Sequence, residues 1–255
     1  FFMLEPCCEI RDEKKHFRLR QIDTFTEQCC GKDYPYCKSM IYNSLAYILN
    51  RMADEELGAI YADNLKALGF CSLQDFKNGM TESFLKTASK YIKEYILADS
   101  FSSLEKHKQS MARLLDAKIE SNWGAYYLRR YSAGKNNPDS DDYDKVIRFQ
   151  NLAKKKKEEL LHSFYQAFEN KSDFCTLKTD CKICTNQKNG TGYHPDCEDY
   201  RRVLSSLSDS YTAIATRSYY RANRCMKAEP KRYSEALKEY SAAIRNHETA
   251  EAIYK

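Results

Sequence analysis

The sequence CTLKTDCKICTNQKNGTGYHPDC, residues 175–197, interrupts a chain whose other segments are patterned as amphipathic helices. It contains four of the eleven cysteines in the chain. Two chemistries fit this stretch: disulfide bonds in a secreted protein, or a structural zinc site built from thiolates and an imidazole. The zinc ligands would be Cys181, Cys184, His194 and Cys197.

Two N-glycosylation sequons favour the disulfides. Asn170 lies just before the stretch and Asn189 lies inside it. Glycans on these residues would place the loop in the secretory pathway, where thiols are oxidised. A redox role for the pair Cys181 and Cys184 is disfavoured, because no strand precedes the pair to place it at a helix start.

The distribution of the cysteines also favours an oxidising compartment. They form two dense groups, separated by residues 72–174, which contain none. We therefore predict a secreted, extracellular protein in which all eleven are disulfide candidates, with one left unpaired. The candidates are Cys7, Cys8, Cys29, Cys30, Cys37, Cys71, Cys175, Cys181, Cys184, Cys197 and Cys225.

The composition predicts an all-α fold. The 255 residues include only 8 Gly and 5 Pro, which argues against a sandwich or barrel. We expect a disulfide-stapled bundle of about eight or nine helices. The pattern suggests two subdomains, residues 1–133 and 143–255, with a cysteine-rich loop at 170–198, or one continuous domain. The expected helices are 6–30, 36–53, 54–69, 72–97, 103–120, 121–133, 141–169, 196–226 and 232–253.

Charge and hydropathy limit the kinds of partner that the protein is expected to bind. The net charge of +5 has both signs interleaved, which is not the pattern of a nucleic-acid-binding protein. No apolar run approaches the ~20 residues of a membrane-spanning helix, so no membrane insertion is expected. The run Lys154–Lys157 makes a glycosaminoglycan a further candidate partner, although a solvated helix face with paired charges is the preferred interpretation. The oligomeric state does not follow from the sequence.

No catalytic motif is present. The chain has no HExxH, GxSxG or phosphate-binding glycine loop, and none of its five histidines has a nearby Ser, Cys or carboxylate arrangement that marks a catalytic triad. We predict a non-enzymatic protein without cofactor or metal. Arg129 and Arg130 follow Trp123 and Tyr127. This mixture is typical of protein-binding surfaces, with the aromatic rings in the core and the arginines at its rim.

The general features resemble secreted salivary proteins of blood-feeding insects, of the mosquito neutrophil-stimulating factor type. The resemblance rests on a helix-rich body and on the cysteines Cys7-Cys8, Cys29-Cys30, Cys175, Cys181 and Cys184. It implies an effector that binds a host protein or cell-surface receptor and modulates immune or haemostatic responses. Two alternatives stay open: a scavenger of biogenic amines or eicosanoids, and a helical surface protein of a protozoan parasite. The chain lacks the C-x3-C pair of odorant-binding-like salivary proteins, which counts against a pocket of that kind.

Overall fold

The chain is all-α throughout the part that can be described. The computed structural model describes residues 24, 26–61, 71–133, 141–167, 175–178, 180–181, 184, 194–228 and 230–254. The seven α-helices in these ranges are α1 (Tyr34–Arg51), α2 (Asp54–Tyr61), α3 (Leu73–Leu97), α4 (Lys106–Ala133), α5 (Asp141–Ala167), α6 (Pro195–Lys227) and α7 (Tyr233–Tyr254). Short 3-10 turns cover Gly31–Asp33 and Asp99–Ser103. The chain divides into two compact units, Phe1–Ala98 and Asp99–Lys255.

The first unit is built on the pairing of α1 with α3. Leu49 of α1 and Ile92 of α3 are fully buried, and the rings of Tyr42 and Phe84 lie 5.7 Å apart. The Ser39 hydroxyl donates to the Ala88 carbonyl at 2.9 Å across the same interface. Apolar burial therefore holds the two helices together, and a buried hydrogen bond fixes their register.

Two predicted helix boundaries of this unit are confirmed. Ser72 caps α3, since its hydroxyl accepts a hydrogen bond from the backbone N–H of Asp75 at 3.1 Å. Gly31 has a φ of +50°, a conformation that glycine adopts without steric cost, and it ends the helical residues 26–30 as expected. The rest of the predicted helix 6–30, and residues 62–70, lie outside the described residues.

The second unit contains α4 to α7. The predicted break between helices 103–120 and 121–133 is wrong, because α4 runs unbroken through Gly124. A Cβ atom on Gly124 would lie 2.2 Å from Nε2 of Gln150, so this glycine permits the close approach of α5. The division between units falls before α4, whereas the sequence analysis grouped these residues with the N-terminal part.

The last two helices form the most extensive pairing of the second unit. Ala236, Ala243 and Ala250 are buried at intervals of one heptad along α7. The hydroxyl of Ser208 in α6 donates to the Ala250 carbonyl at 3.1 Å. Small side chains along this seam let the two helix backbones lie close together. No helix in the described ranges has the combined length and apolarity needed to cross a membrane.

Candidate metal centre

Four sulfur atoms of the cysteine-rich segment meet at the start of α6. The Sγ atoms of Cys175, Cys181, Cys184 and Cys197 all lie within 4.8 Å of one another. Those of Cys181 and Cys197 are 3.6 Å apart, much longer than the ~2.05 Å of a disulfide. No two cysteines in the described part of the chain lie at disulfide distance, so the structure does not show the predicted staples. Four of these thiols gather in one cluster instead.

The cluster is embedded in the core of the second unit. Cys175 is 0% exposed and Cys197 is 2% exposed. Leu114 of α4, Phe164 of α5 and Tyr200 of α6 belong to the same buried cluster. The segment thus brings its thiols against three helices at once, and water is largely excluded from them.

Backbone N–H groups point at the sulfur atoms. The N–H of Cys181 donates to Sγ of Cys175 at 3.1 Å, and the N–H of His194 donates to Sγ of Cys184 at 3.3 Å. Backbone hydrogen bonds also favour the thiolates of Cys181 and Cys197. Donors of this kind stabilise negative charge on sulfur.

The thiols differ in acidity. Burial opposes the thiolate of Cys181, but a backbone hydrogen bond at Cys184 and the neighbouring thiols lower the pKa of Cys181 to about 7. Burial raises the pKa of Cys175 to about 11 and also raises the pKa of Cys197. One thiol of the cluster is thus poised to ionise near neutral pH. A bound cation would favour deprotonation of the others, since coordinated thiols lose their protons.

The fourth member of the cluster is Cys175, and not His194 as the sequence suggested. His194 caps the start of α6 without a side-chain capping hydrogen bond, and its Nδ1 lies 3.9 Å from Oδ2 of Asp196. Its backbone, not its imidazole, serves the cluster. Cys175 takes the fourth position. The spacing Cys175-x5-Cys181 was visible in the sequence, but only the folded loop shows that it turns back onto α6.

The predicted partner-binding arginines lie at the end of α4. The Nε of Arg130 is 3.3 Å from Oδ2 of Asp142, and its Nη1 donates to the Tyr126 hydroxyl at 3.3 Å. The Arg129 guanidinium lies 5.8 Å from the Tyr126 ring centre. Both arginines thus contact their own unit, and the Arg130 side chain remains 39% exposed. Their role in partner binding stays a prediction.

The run Lys154–Lys157 does not form one cationic patch. Lys154 and Lys155 pair with the glutamates four residues later, as the sequence analysis preferred. Lys156 lies 2.7 Å from carboxylates of both Asp116 and Glu120. Lys157 is buried, which corrects the expectation that its amine reaches solvent. The four lysines therefore face different surroundings.

The remaining predicted residues are dispersed. Cys7, Cys8, Asn170 and Asn189 lie outside the described residues. Cys29 and Cys71 are exposed, and Cys225 is buried in α6. Burial and a hydrogen bond with the Cys30 thiol raise the pKa of Cys37 to about 12, so Cys30 and Cys37 are in contact.

One histidine–carboxylate pair escaped the sequence analysis. The Nδ1 of His107 in α4 lies 2.6 Å from Oδ2 of Asp199 in α6. Asp199 is 1% exposed, whereas the His107 side chain is 49% exposed. The two residues are 92 positions apart, so no local pattern could have joined them. The pair fixes the start of α4 against α6.

Comparison of the chain with protein-family models, with curated proteins and with solved structures finds no significant match in any of the three. No family chemistry is therefore transferred to this chain, and the resemblance to salivary proteins stays a prediction.

Proposed function

We propose that the protein binds one zinc ion through Cys175, Cys181, Cys184 and Cys197, and that it is a zinc-stabilised, non-enzymatic helical binding protein. The single observation that carries the zinc proposal is the mutual proximity of the four Sγ atoms, within 4.8 Å of one another. A tetrahedral ion with Zn–S bonds of about 2.3 Å separates its sulfur ligands by about 3.8 Å. The 3.6 Å between Cys181 and Cys197 is close to that separation.

Zinc explains the arrangement better than disulfides do. Two disulfides require two short pairs and place no limit on the distance between the pairs. A single ion requires all four sulfurs to face one point. Zinc is the metal favoured by an all-thiolate set, because it prefers soft sulfur ligands in tetrahedral geometry.

The site is structural in kind. Four protein ligands complete the coordination of zinc, whereas catalytic zinc keeps a position open for water or substrate. The low exposure of Cys175 and Cys197 also leaves little access for a substrate. The ion would hold the segment before α6 onto α4, α5 and α6.

A structural zinc site has no catalytic role, so we look for the function of the protein on its exposed surfaces. Large apolar side chains are exposed on α6 and α7, which supports a role in binding another protein. They are Tyr219, Tyr220, Tyr233, Leu237 and Ile244.

Metal analysis tests the proposal. Protein purified under reducing conditions with zinc should contain one zinc per chain, measured by elemental analysis and native mass spectrometry. The variant Cys197→Ser should lose stoichiometric zinc, because it removes one of four ligands. The matched control Cys225→Ser changes a buried cysteine of the same helix and should retain zinc. Absence of zinc from the unaltered protein would refute the proposal.

A second candidate is the secreted effector that binds a host protein and modulates its responses. The contact between the Cys30 and Cys37 thiols, together with the density of cysteines, favours it. In an oxidising compartment the four clustered thiols would pair as two disulfides. Non-reducing peptide mapping of protein from its native source distinguishes the two: disulfides among these four cysteines support the effector, and zinc-protected thiols contradict it.

A further inference from the structure

We infer that Arg201 is the positioning residue of the metal centre: its guanidinium holds the loop between Cys175 and Cys181 in the conformation that brings Cys175 to the ion. The inference rests on the proposed zinc site. It explains how a ligand outside the Cys181-x2-Cys184 pair becomes part of the cluster.

The contacts of Arg201 span the loop. Its Nη2 donates to the Leu177 carbonyl at 2.9 Å, and its Nη1 donates to Oδ1 of Asp180 at 3.2 Å. Leu177 and Asp180 both lie between Cys175 and Cys181 in the chain. One planar group thus binds the beginning and the end of the connection between the two cysteines.

The position of Arg201 on α6 links the loop between Cys175 and Cys181 to a third proposed ligand, Cys197. It follows Cys197 by four residues, so both side chains lie on the same face of the helix, about one turn apart. The helix that supplies Cys197 therefore also supplies the group that orients Cys175. The Arg201 side chain is 20% exposed, so neighbouring atoms restrict its conformation.

Charge favours the same role. Four thiolates around a divalent ion carry a net charge of −2, and a nearby guanidinium stabilises that excess negative charge. Lysine cannot fully reproduce the arrangement, because its ammonium is a single point and lacks the planar fork by which two separate nitrogens of Arg201 reach the Leu177 carbonyl and the Asp180 carboxylate. Arg201→Lys should therefore keep the positive charge but hold Cys175 in place only in part.

Arg202 provides a matched control. It is adjacent on the same helix, and its guanidinium pairs with Glu198 and lies 3.8 Å from Oδ1 of Asp199. Its Nη1 also contacts Sδ of Met111 at 3.7 Å. Arg202→Met removes one positive charge from α6 and shortens the side chain as much as Arg201→Met does. It leaves the contacts of Arg201 with Leu177 and Asp180 in place.

The test measures zinc affinity by competition with a chromophoric chelator, using the full chain under reducing conditions. Removal of an outer-shell partner weakens metal binding by about 10–100-fold. We expect a loss of that size for Arg201→Met, a smaller loss for Arg201→Lys, and a change within about threefold for Arg202→Met.

Cobalt(II) supplies a spectroscopic readout that a change in stability alone would not alter. The cobalt-loaded unaltered protein should have the thiolate-to-metal charge-transfer absorption of four sulfurs. In Arg201→Met this absorption should weaken at saturating cobalt, because Cys175 is no longer held in place. If Arg201→Met does not fold, Asp180→Asn removes one of the two contacts at an exposed position and should weaken zinc binding by severalfold.

The outcomes separate the two proposals. If the unaltered protein binds no zinc, the metal site itself is refuted, and the role of Arg201 is refuted with it. If the unaltered protein binds zinc but the variants at Arg201 and Asp180 match Arg202→Met in affinity and cobalt spectrum, the site stands and the positioning role is refuted.

Discussion

Replacement of Lys157 by methionine will change how the stability of the second unit depends on pH. The side chain is 2% exposed, and its Nζ donates to the Ser206 carbonyl at 2.9 Å and to the Ser210 hydroxyl at 2.7 Å. Burial lowers the pKa of Lys157 to about 7, and nearby Asp209 opposes this decrease while Lys118 adds to it. The folded chain therefore releases a proton that the unfolded chain keeps up to about pH 10.4.

The sign and size of the effect follow from proton linkage. Between pH 7 and 9 the unfolded state binds more protons at this site than the folded state does, so the free energy of unfolding rises with pH. With a folded pKa of about 7 and an unfolded one of about 10.4, the rise over this interval is about 2 kcal/mol. Methionine has no such proton. The stability of Lys157→Met relative to the unaltered protein should thus fall by about 2 kcal/mol between pH 7 and 9.

Urea unfolding measures this difference. The chain has one tryptophan, and Trp123 lies in α4, so its fluorescence reports on the second unit. Lys155→Met is the matched control, because the Lys155 side chain is 71% exposed and should give no such pH dependence. A stability difference between Lys157→Met and the unaltered protein that is constant from pH 7 to 9 would mean that the buried amine stays protonated, and would refute the reasoning.

Three further substitutions, with Gly58→Ala as a control, test the packing and the capping of the helices. Gly124→Ala should lower the free energy of unfolding by about 1–3 kcal/mol, because its Cβ would meet buried Gln150 at 2.2 Å; Gly58→Ala, whose nearest contact is 3.8 Å, should be neutral or stabilising. Ser72→Ala should cost about 1 kcal/mol through loss of the helix cap, measured by denaturant unfolding. Arg217→Met should leave the melting temperature unchanged or higher, since Nε and Nη1 of this buried guanidinium have no hydrogen-bond partner among the described residues. A marked decrease would contradict this.

Local signals predicted the helices well. Ser72 and Gly31 mark boundaries through their own side-chain and backbone chemistry, which is legible from neighbouring residues alone. Gly124 does not break α4, because a glycine inside a helix costs only about 1 kcal/mol and close packing against α5 compensates for it. The burial of Lys157 does not follow from the local pattern, because its hydrogen-bond partners lie on other helices, far away in the sequence.

The four-cysteine cluster could be predicted only in part. The spacing of Cys181 and Cys184 is compatible with zinc, with disulfides and with redox chemistry, and the sequons shifted the balance to disulfides. What separates zinc from disulfides is the distance between sulfurs. That distance is set by non-local contacts, such as those of Leu177 and Asp180 with Arg201, which periodicity does not encode. The same dependence on non-local contacts explains why the sequence points to His194, and not to Cys175, as the fourth ligand.

The position of the four cysteines along the chain has a consequence for biosynthesis. All of them have been synthesised once residue 197 is complete, when most of α6 and all of α7 are still to be made. The loops between successive ligands are short, so their closure costs little entropy. A zinc ion bound as proposed could therefore be captured by the nascent chain before the long-range contacts of the unit form. The captured ion would then fix the first turn of α6, which is the step that limits helix formation.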